Sequence, residues 1–122
     1  MNRVQTILIV EDESVPRLQM REVLEEAGYS VLEAADGLEG ISLFSLHQDQ
    51  ISLVMLDLNM PHKSGYEVLA EMQIADPDVN VVVVTGYSPD EERLPGVKTV
   101  LNKPWQPHGL VSLVREILDD EE

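Results

Sequence analysis

Five short apolar runs punctuate the chain, and polar or turn residues follow each one. The first, Thr6-Ile-Leu-Ile-Val10, and the fourth, Val81-Val-Val-Val84, are unbroken branched stretches. So is the first half of Leu53-Val-Met-Leu-Asp-Leu-Asn-Met-Pro61, the central stretch of the chain. Continuous runs of this kind predict strands buried on both faces, as in a parallel sheet. Tyr29 to Ala34 and Lys98 to Leu101 read as two further strands.

Helical spacing fills the intervals. Met20, Val23, Leu24 and Ala27 stripe a first helix, started by Ser14 as cap with Pro16 in its first turn, and ended by Gly28. Asp36-Gly37 reads as a turn before a helix whose inward stripe is Leu38, Ile41, Leu43, Phe44 and Leu46. Ser64-Gly65 opens a third, with Val68, Leu69 and Met72 inward. Leu110, Val111, Leu113, Val114, Ile117 and Leu118 define the last. Between Tyr87 and Gly96 the chain is polar and holds Pro89 and Pro95. That leaves room for about two helical turns at most. Alternation of strand and helix predicts an α/β fold: one domain over residues 1–122, a parallel sheet with helices on both faces.

Composition narrows the function classes. A formal charge of −15 opposes a nucleic-acid footprint, which needs a basic face. With no cysteine there is no disulfide framework, thiolate metal site or cysteine nucleophile. No apolar run approaches a membrane span, and Met1 to Gln5 is no signal peptide, so the expected compartment is the cytoplasm.

Parallel strands bring their carboxyl ends to one edge, where open α/β sheets bind ligands. Glu11 and Asp12 follow the first strand, Asp57 ends the third, Thr85-Gly86 the fourth, and Lys103 the fifth. Singly, each has a plain alternative. Asp12 or Glu13 suits a helix N-terminus, Thr85 a turn, Lys103 a solvated loop. Four coincidences at matching strand ends point instead to a hard divalent cation and a phosphoryl group. Magnesium takes one or two carboxylates and keeps waters, which suits Asp12 and Asp57, with Glu11 adding charge or holding a metal-bound water. Lys103 and Thr85 with its neighbouring amide suit phosphoryl oxygens, and Asp57 the nucleophile.

In order and type, these residues resemble the receiver domain of two-component response regulators across nearly the whole chain. The resemblance rests on Glu11-Asp12, Asp57 in Leu-Asp-Leu-Asn-Met-Pro, Gly65, Thr85-Gly86 and Lys103-Pro104. It implies a flavodoxin-like, doubly wound five-stranded sheet of order 2-1-3-4-5. It implies that Asp57 accepts a phosphoryl group from a sensor histidine kinase or a histidine phosphotransfer protein. It assigns Mg2+ to Asp12, Asp57 and the backbone carbonyl of Asn59, with Glu11 alongside. Thr85, the Gly86 amide and Lys103 would bind phosphoryl oxygens, and the Lys103–Pro104 peptide would be cis. The domain would be a signalling phosphoacceptor, not an enzyme beyond self-catalysed gain and loss of phosphate.

Two departures from the pattern stand out. Val100 occupies the position where the family carries a switch Tyr or Phe; Tyr87 is then either a partial substitute, a gate, or a surface residue. From Thr85 to Lys103 is 103 − 85 = 18 positions, a few fewer than usual, so the fourth helix should be short or missing. Two other classes compete. A magnesium-dependent phosphohydrolase or nuclease would want Asp-X-Asp where the chain has Glu11-Asp12 or Asp57-Leu-Asn59. A receiver-shaped module that no longer uses phosphate is the other. His47, His62 and His108 lack ligand spacing and read as surface residues. Trp105, Met20, Met55, Met60 and Met72 read as packing or loop residues.

Overall fold

A computed structural model describes residues 4–119. The first three residues of the Met1 to Gln5 stretch and the outer limits of the 1–122 domain lie outside the described residues. Strands β1 (Thr6–Val10), β2 (Ser30–Ala34), β3 (Ile51–Asp57), β4 (Val81–Thr85) and β5 (Thr99–Asn102) form one sheet of order β2-β1-β3-β4-β5. Every pairing is parallel. Helices α1 (Ser14–Glu26), α2 (Gly37–His47), α3 (Gly65–Ala75) and α4 (Pro107–Asp119) connect or follow the strands. This is the doubly wound flavodoxin-like fold the resemblance implied.

The unbroken apolar runs are the reason the sheet sits in the middle. Successive side chains of a strand face opposite ways, so each run feeds two cores. Leu8, Val10, Val54, Leu56, Val81 and Val83 pack with Phe44, Val68, Leu69 and Met72 of α2 and α3. Ile7, Ile9, Leu53, Met55, Val82 and Val84 pack with Leu24 of α1 and Leu110, Val114 and Leu118 of α4. Full burial of one such side chain is worth about 1.5–3 kcal/mol. A polar residue within β3 would lose that on whichever face it pointed.

Four local expectations are corrected. Ser14 is not the cap of α1; Glu13 occupies that position without a capping hydrogen bond, and Ser14 is already helical. Asp36 is not a simple turn residue, because its side chain accepts the Glu39 amide and caps α2. Leu38 and Leu46 face solvent, 66% and 75% exposed. The inward positions of α2 belong to Gly37 and Gly40 with Phe44. A methyl at Gly40 would lie 2.9 Å from Val10 Cγ2, and one at Gly37 2.7 Å from Val68 Cγ2. That close approach of helix to sheet and to α3 rotates the leucines outward. Finally, β2 and β5 each start one residue later than the apolar pattern suggests.

The connection from β4 to β5 carries only a 3-10 turn, Glu91–Arg93, as the two prolines predicted. It is tethered to α3 instead of covering the sheet as a helix. Tyr66 Oη accepts the Asp90 amide at 2.8 Å, and the Arg93 guanidinium carbon lies 4.1 Å from the centre of the Tyr66 ring. Gln73 Nε2 donates to Pro95 O. Leu94 is buried and takes part in the core on the α2–α3 side.

Candidate functional site

The parallel register brings the expected residues to one edge. Asp57 is the last residue of β3 and pairs in register with Val84, while Thr85 pairs with Asn102, one residue before Lys103. Glu11 follows β1 directly, and its amide donates to Ala34 O of β2 at 3.1 Å. Glu11, Asp57 and Thr85 are the buried polar side chains of the described residues, at 6%, 3% and 0% exposure. Burial of that kind requires partners.

Those partners are specific. Lys103 Nζ donates to Glu11 Oε1 at 2.9 Å and stands 3.5 Å from Asp57 Oδ2. The other Asp57 oxygen, Oδ1, accepts the Asn59 amide at 3.0 Å. The loop after β3 is folded back by this bond and by the Gly65 amide, which donates to Leu58 O at 3.1 Å. Gly65 is required for space: a methyl there would sit 2.5 Å from Asp57 O and 2.6 Å from Leu58 Cα. Helix α3 then starts with a capping box between Ser64 and Glu67.

Carboxylate oxygens of Glu11, Asp12 and Asp57 lie within 4.8 Å of one another. Asp12 Oδ1 is buried without a hydrogen-bond partner. Burial lifts the Asp12 carboxyl above its ordinary value, the hydrogen bond and charge of Glu11 add to the rise, and the backbone amide of Asp12 and the charge of Lys103 offset part of it. The pKa of Lys103 is raised as well, which for a lysine favours the charged form. Burial disfavours its ammonium, but the carboxylates of Glu11 and Asp57 outweigh that and hold it above the usual lysine value. Three hard oxygen donors and an unsatisfied acceptor fit a small divalent cation; there is no nitrogen or sulfur donor in the cluster to suit a softer one.

Other expected residues are placed as follows. The Thr85 hydroxyl accepts the Tyr87 amide at 3.3 Å, so it faces its own loop. Gly86 is exposed beside Lys103, whose Cβ would lie 4.0 Å from a methyl at that position. The Lys103–Pro104 peptide is cis. Asn59 is exposed. Val100 is half-buried against the α2–α3 side of the core, and Tyr87 is 49% exposed. Trp105 packs on the opposite core and lines a small void beneath Glu11 and Asp57, with Met20, Met55 and Val84. His62 and His108 are exposed and His47 is half-buried at the end of α2; none belongs to the acidic cluster.

Arg17 and Tyr66 were not singled out in the sequence. Arg17 binds a backbone carbonyl and Tyr66 a backbone amide, partners that no side-chain spacing reveals. Among the described residues, no helix is long and apolar enough to cross a membrane.

Comparison with known proteins places this geometry. The sensor kinase CckA of Brucella abortus is 31% identical over 121 residues, which cover 96% of this chain and 13% of the kinase. Sporulation initiation phosphotransferase F of Bacillus subtilis is 29% identical over 118 residues, 93% of this chain and 94% of that protein. The chain spans less than half the length of several curated relatives it matches. Among solved structures, the response regulator TrrA of Thermotoga maritima, in complex with Mg2+-BeF, is 29% identical with a TM-score of 0.83, covering 94% of this chain and all of that one. The family model of the response regulator receiver domain matches residues 7–115, from the first residues of β1 to the last turns of α4. With the strand order and the acidic edge already in place, that match shows that the chain belongs to the receiver domain family of response regulators.

Proposed function

We propose that Asp57 is the phosphoacceptor of a phosphorelay and that residues 1–122 act as one receiver domain. The observation that carries this reading is the shared pocket. One lysine bridges Glu11 and Asp57, and an unsatisfied Asp12 oxygen lies in the same cluster. A structural ion pair needs one carboxylate per cation; here three carboxylates cluster around a single lysine that contacts two of them, which leaves negative charge for a second cation. Glu11, Asp12, Asp57 and the Asn59 carbonyl would hold Mg2+, and a bound Mg2+ supplies charge neutralisation at the transferring oxygens.

The chain's own residues do the rest. Asp57 is held at both oxygens, by the Asn59 amide and by Lys103, so its carboxylate is oriented before a donor arrives. A carboxylate oxygen attacks the phosphorus of a phosphohistidine. The phosphorus–nitrogen bond breaks, its electron pair returns to the imidazole ring, and Asp57 becomes an acyl phosphate. Lys103 can exchange its longer contact with Asp57 for a phosphoryl oxygen while keeping its bond to Glu11. Thr85 and the Gly86 amide stand at the adjoining strand end, where rotation of the hydroxyl away from the Tyr87 amide would bring it to the phosphoryl group. The donor class is a sensor histidine kinase or a histidine phosphotransfer protein, in keeping with relatives that include a sensor kinase and a sporulation phosphotransferase.

Labelling the purified protein with acetyl phosphate and Mg2+ tests the reading. The expected product is a hydroxylamine-labile acyl phosphate that EDTA prevents and Asp57→Asn abolishes. Label retained in Asp57→Asn, or sustained turnover of a phosphoester, would overturn it.

A further inference from the structure

The Glu11–Asp12 pair lies in the turn between β1 and α1, and only the Glu11 amide, bound to Ala34 O, is fixed by the sheet. The carbonyl of Glu11 belongs to the peptide that joins it to Asp12. A group that holds this oxygen therefore also sets where the Asp12 carboxylate begins. Arg17 is that group: its Nη1 donates to Glu11 O at 2.8 Å. The same guanidinium reaches back to β2, with Nε 3.3 Å from Glu33 Oε1. Glu33 is held in turn by Arg21, which also pairs with Glu25 at 3.2 Å. The Arg17 side chain is only 19% exposed, so the arrangement is packed rather than a loose surface pair.

A guanidinium is a rigid fork that can serve a carbonyl and a carboxylate at once, whereas an ammonium has no such fixed geometry. Here the fork spans from the second strand to the turn bearing two of the three clustered acids. We propose that Arg17 is a positioning residue of the divalent-cation site. By clamping the Glu11–Asp12 peptide against Glu33, it keeps the Asp12 carboxylate turned into the cluster with Glu11 and Asp57. The inference rests on the reading that this cluster binds Mg2+. It adds a residue that touches none of the cation's expected donor atoms.

Positioning and simple electrostatics act in opposite directions here, which makes the inference testable. A positive charge beside three carboxylates repels an incoming cation, so on charge alone removing Arg17 would tighten Mg2+ binding. Loss of the clamp would weaken it. The measurement is Mg2+ titration of the full chain, followed by Trp105 fluorescence and by the melting temperature. Arg17→Lys keeps the charge without the fork, and Arg17→Gln removes both. Both are expected to raise the Mg2+ Kd by about ten-fold, the low end of the cost of losing an outer-shell partner. Glu33→Gln should move it the same way by less, and the Arg17/Glu33 double variant should fall short of the sum of the singles. Arg21→Gln is the control for general loosening, since Arg21 pairs with Glu25 and Glu33 but not with the turn; its Kd should stay within about two-fold of wild type.

Tighter or unchanged Mg2+ binding in Arg17→Gln, with wild-type binding in Arg17→Lys, would overturn the positioning role. So would an Arg21→Gln effect as large as that of Arg17→Gln. A wild-type chain that binds no Mg2+ would overturn the cation-site reading itself and this inference with it, a result read before any variant is compared.

Discussion

Lys103 Nζ lies 2.9 Å from Glu11 Oε1, joining two residues 92 positions apart in the chain. This bond fixes the loop after the edge strand β5 to the turn after the interior strand β1. It also places the positive charge between two acids. Replacing Lys103 with Met should therefore cost stability even without ligand, by about 1–2 kcal/mol in urea unfolding at pH 7. The folded-state pKa of Lys103 lies above the 10.5 of a free lysine. The native state binds that proton more tightly than the unfolded chain. Its contribution is then complete below 10.5 and disappears as pH rises through the folded value. A difference between wild type and variant that persisted unchanged into strong alkali would contradict this.

Asp12 presents the reverse case. Its folded pKa lies above the 3.8 of a free aspartate, so its ionisation opposes folding. Wild-type stability should fall as pH rises from 3.8 through the raised value, and the deficit should remain at neutral pH. Asp12→Asn removes it. Without metal, its melting temperature should exceed that of wild type by roughly 3–6 °C at pH 7 and match it below 3.8. Calorimetry across that range is the test, and a less stable variant at pH 7 would show that the carboxylate is well satisfied.

Magnesium should reverse the deficit in the wild type. At about 100 times its Kd, a ligand specific for the folded state adds about 2.7 kcal/mol. For a domain of this size that is on the order of 10 °C in melting temperature. EDTA should restore the lower value, and Asp12→Asn should respond much less. A wild-type melting curve indifferent to millimolar Mg2+ would speak against a shared pocket.

At Gly65 the constraint is steric. The atoms nearest an added methyl, Asp57 O and Leu58 Cα, belong to the backbone and cannot rotate aside. Gly65→Ala should cost about 1–3 kcal/mol or more, as overpacking does. It should also slow phosphoryl uptake, because the strain falls on the carbonyl of Asp57, the proposed acceptor. Urea unfolding together with acetyl phosphate labelling separates the two effects.

Tyr66→Phe keeps the ring beneath Arg93 and removes only the acceptor for the Asp90 amide. The expected loss is about 1 kcal/mol. Hydrogen exchange should quicken at residues 88–94 while the strands stay protected. Unchanged exchange there would mean the tether is dispensable.

Much of this was legible because the physics is local. Branched runs ending in Asp57 and Thr85 mark β3 and β4, and parallel strands bring such ends together wherever they fall in the chain. The two prolines between Tyr87 and Gly96 foretold the missing helix. Other features depend on what meets what in space. Gly37 and Gly40 displace Leu38 and Leu46 from the core because α3 and the sheet approach closely there, which helical spacing alone does not encode. Ser14 looked like a cap by residue type, but the helix begins one residue earlier. His62 adopts a left-handed backbone, φ 68°, with no glycine to announce it. Arg17 and Tyr66 bind backbone atoms of other segments, so their roles emerge only once those segments are placed.

Lys103 reaches the pocket from a strand of four residues at the rim of the sheet, whereas Glu11 and Asp57 leave strands flanked on both sides. Fraying at a rim needs fewer bonds broken than opening the middle. The main-chain leash that resists it at this point is the Lys103 amide on Thr85 O, 2.8 Å long. Were β5 to peel back, Glu11 and Asp57 would stay on their interior strands while their shared counter-charge left with the rim, so the electrostatic balance of this edge hangs on its most weakly anchored strand end.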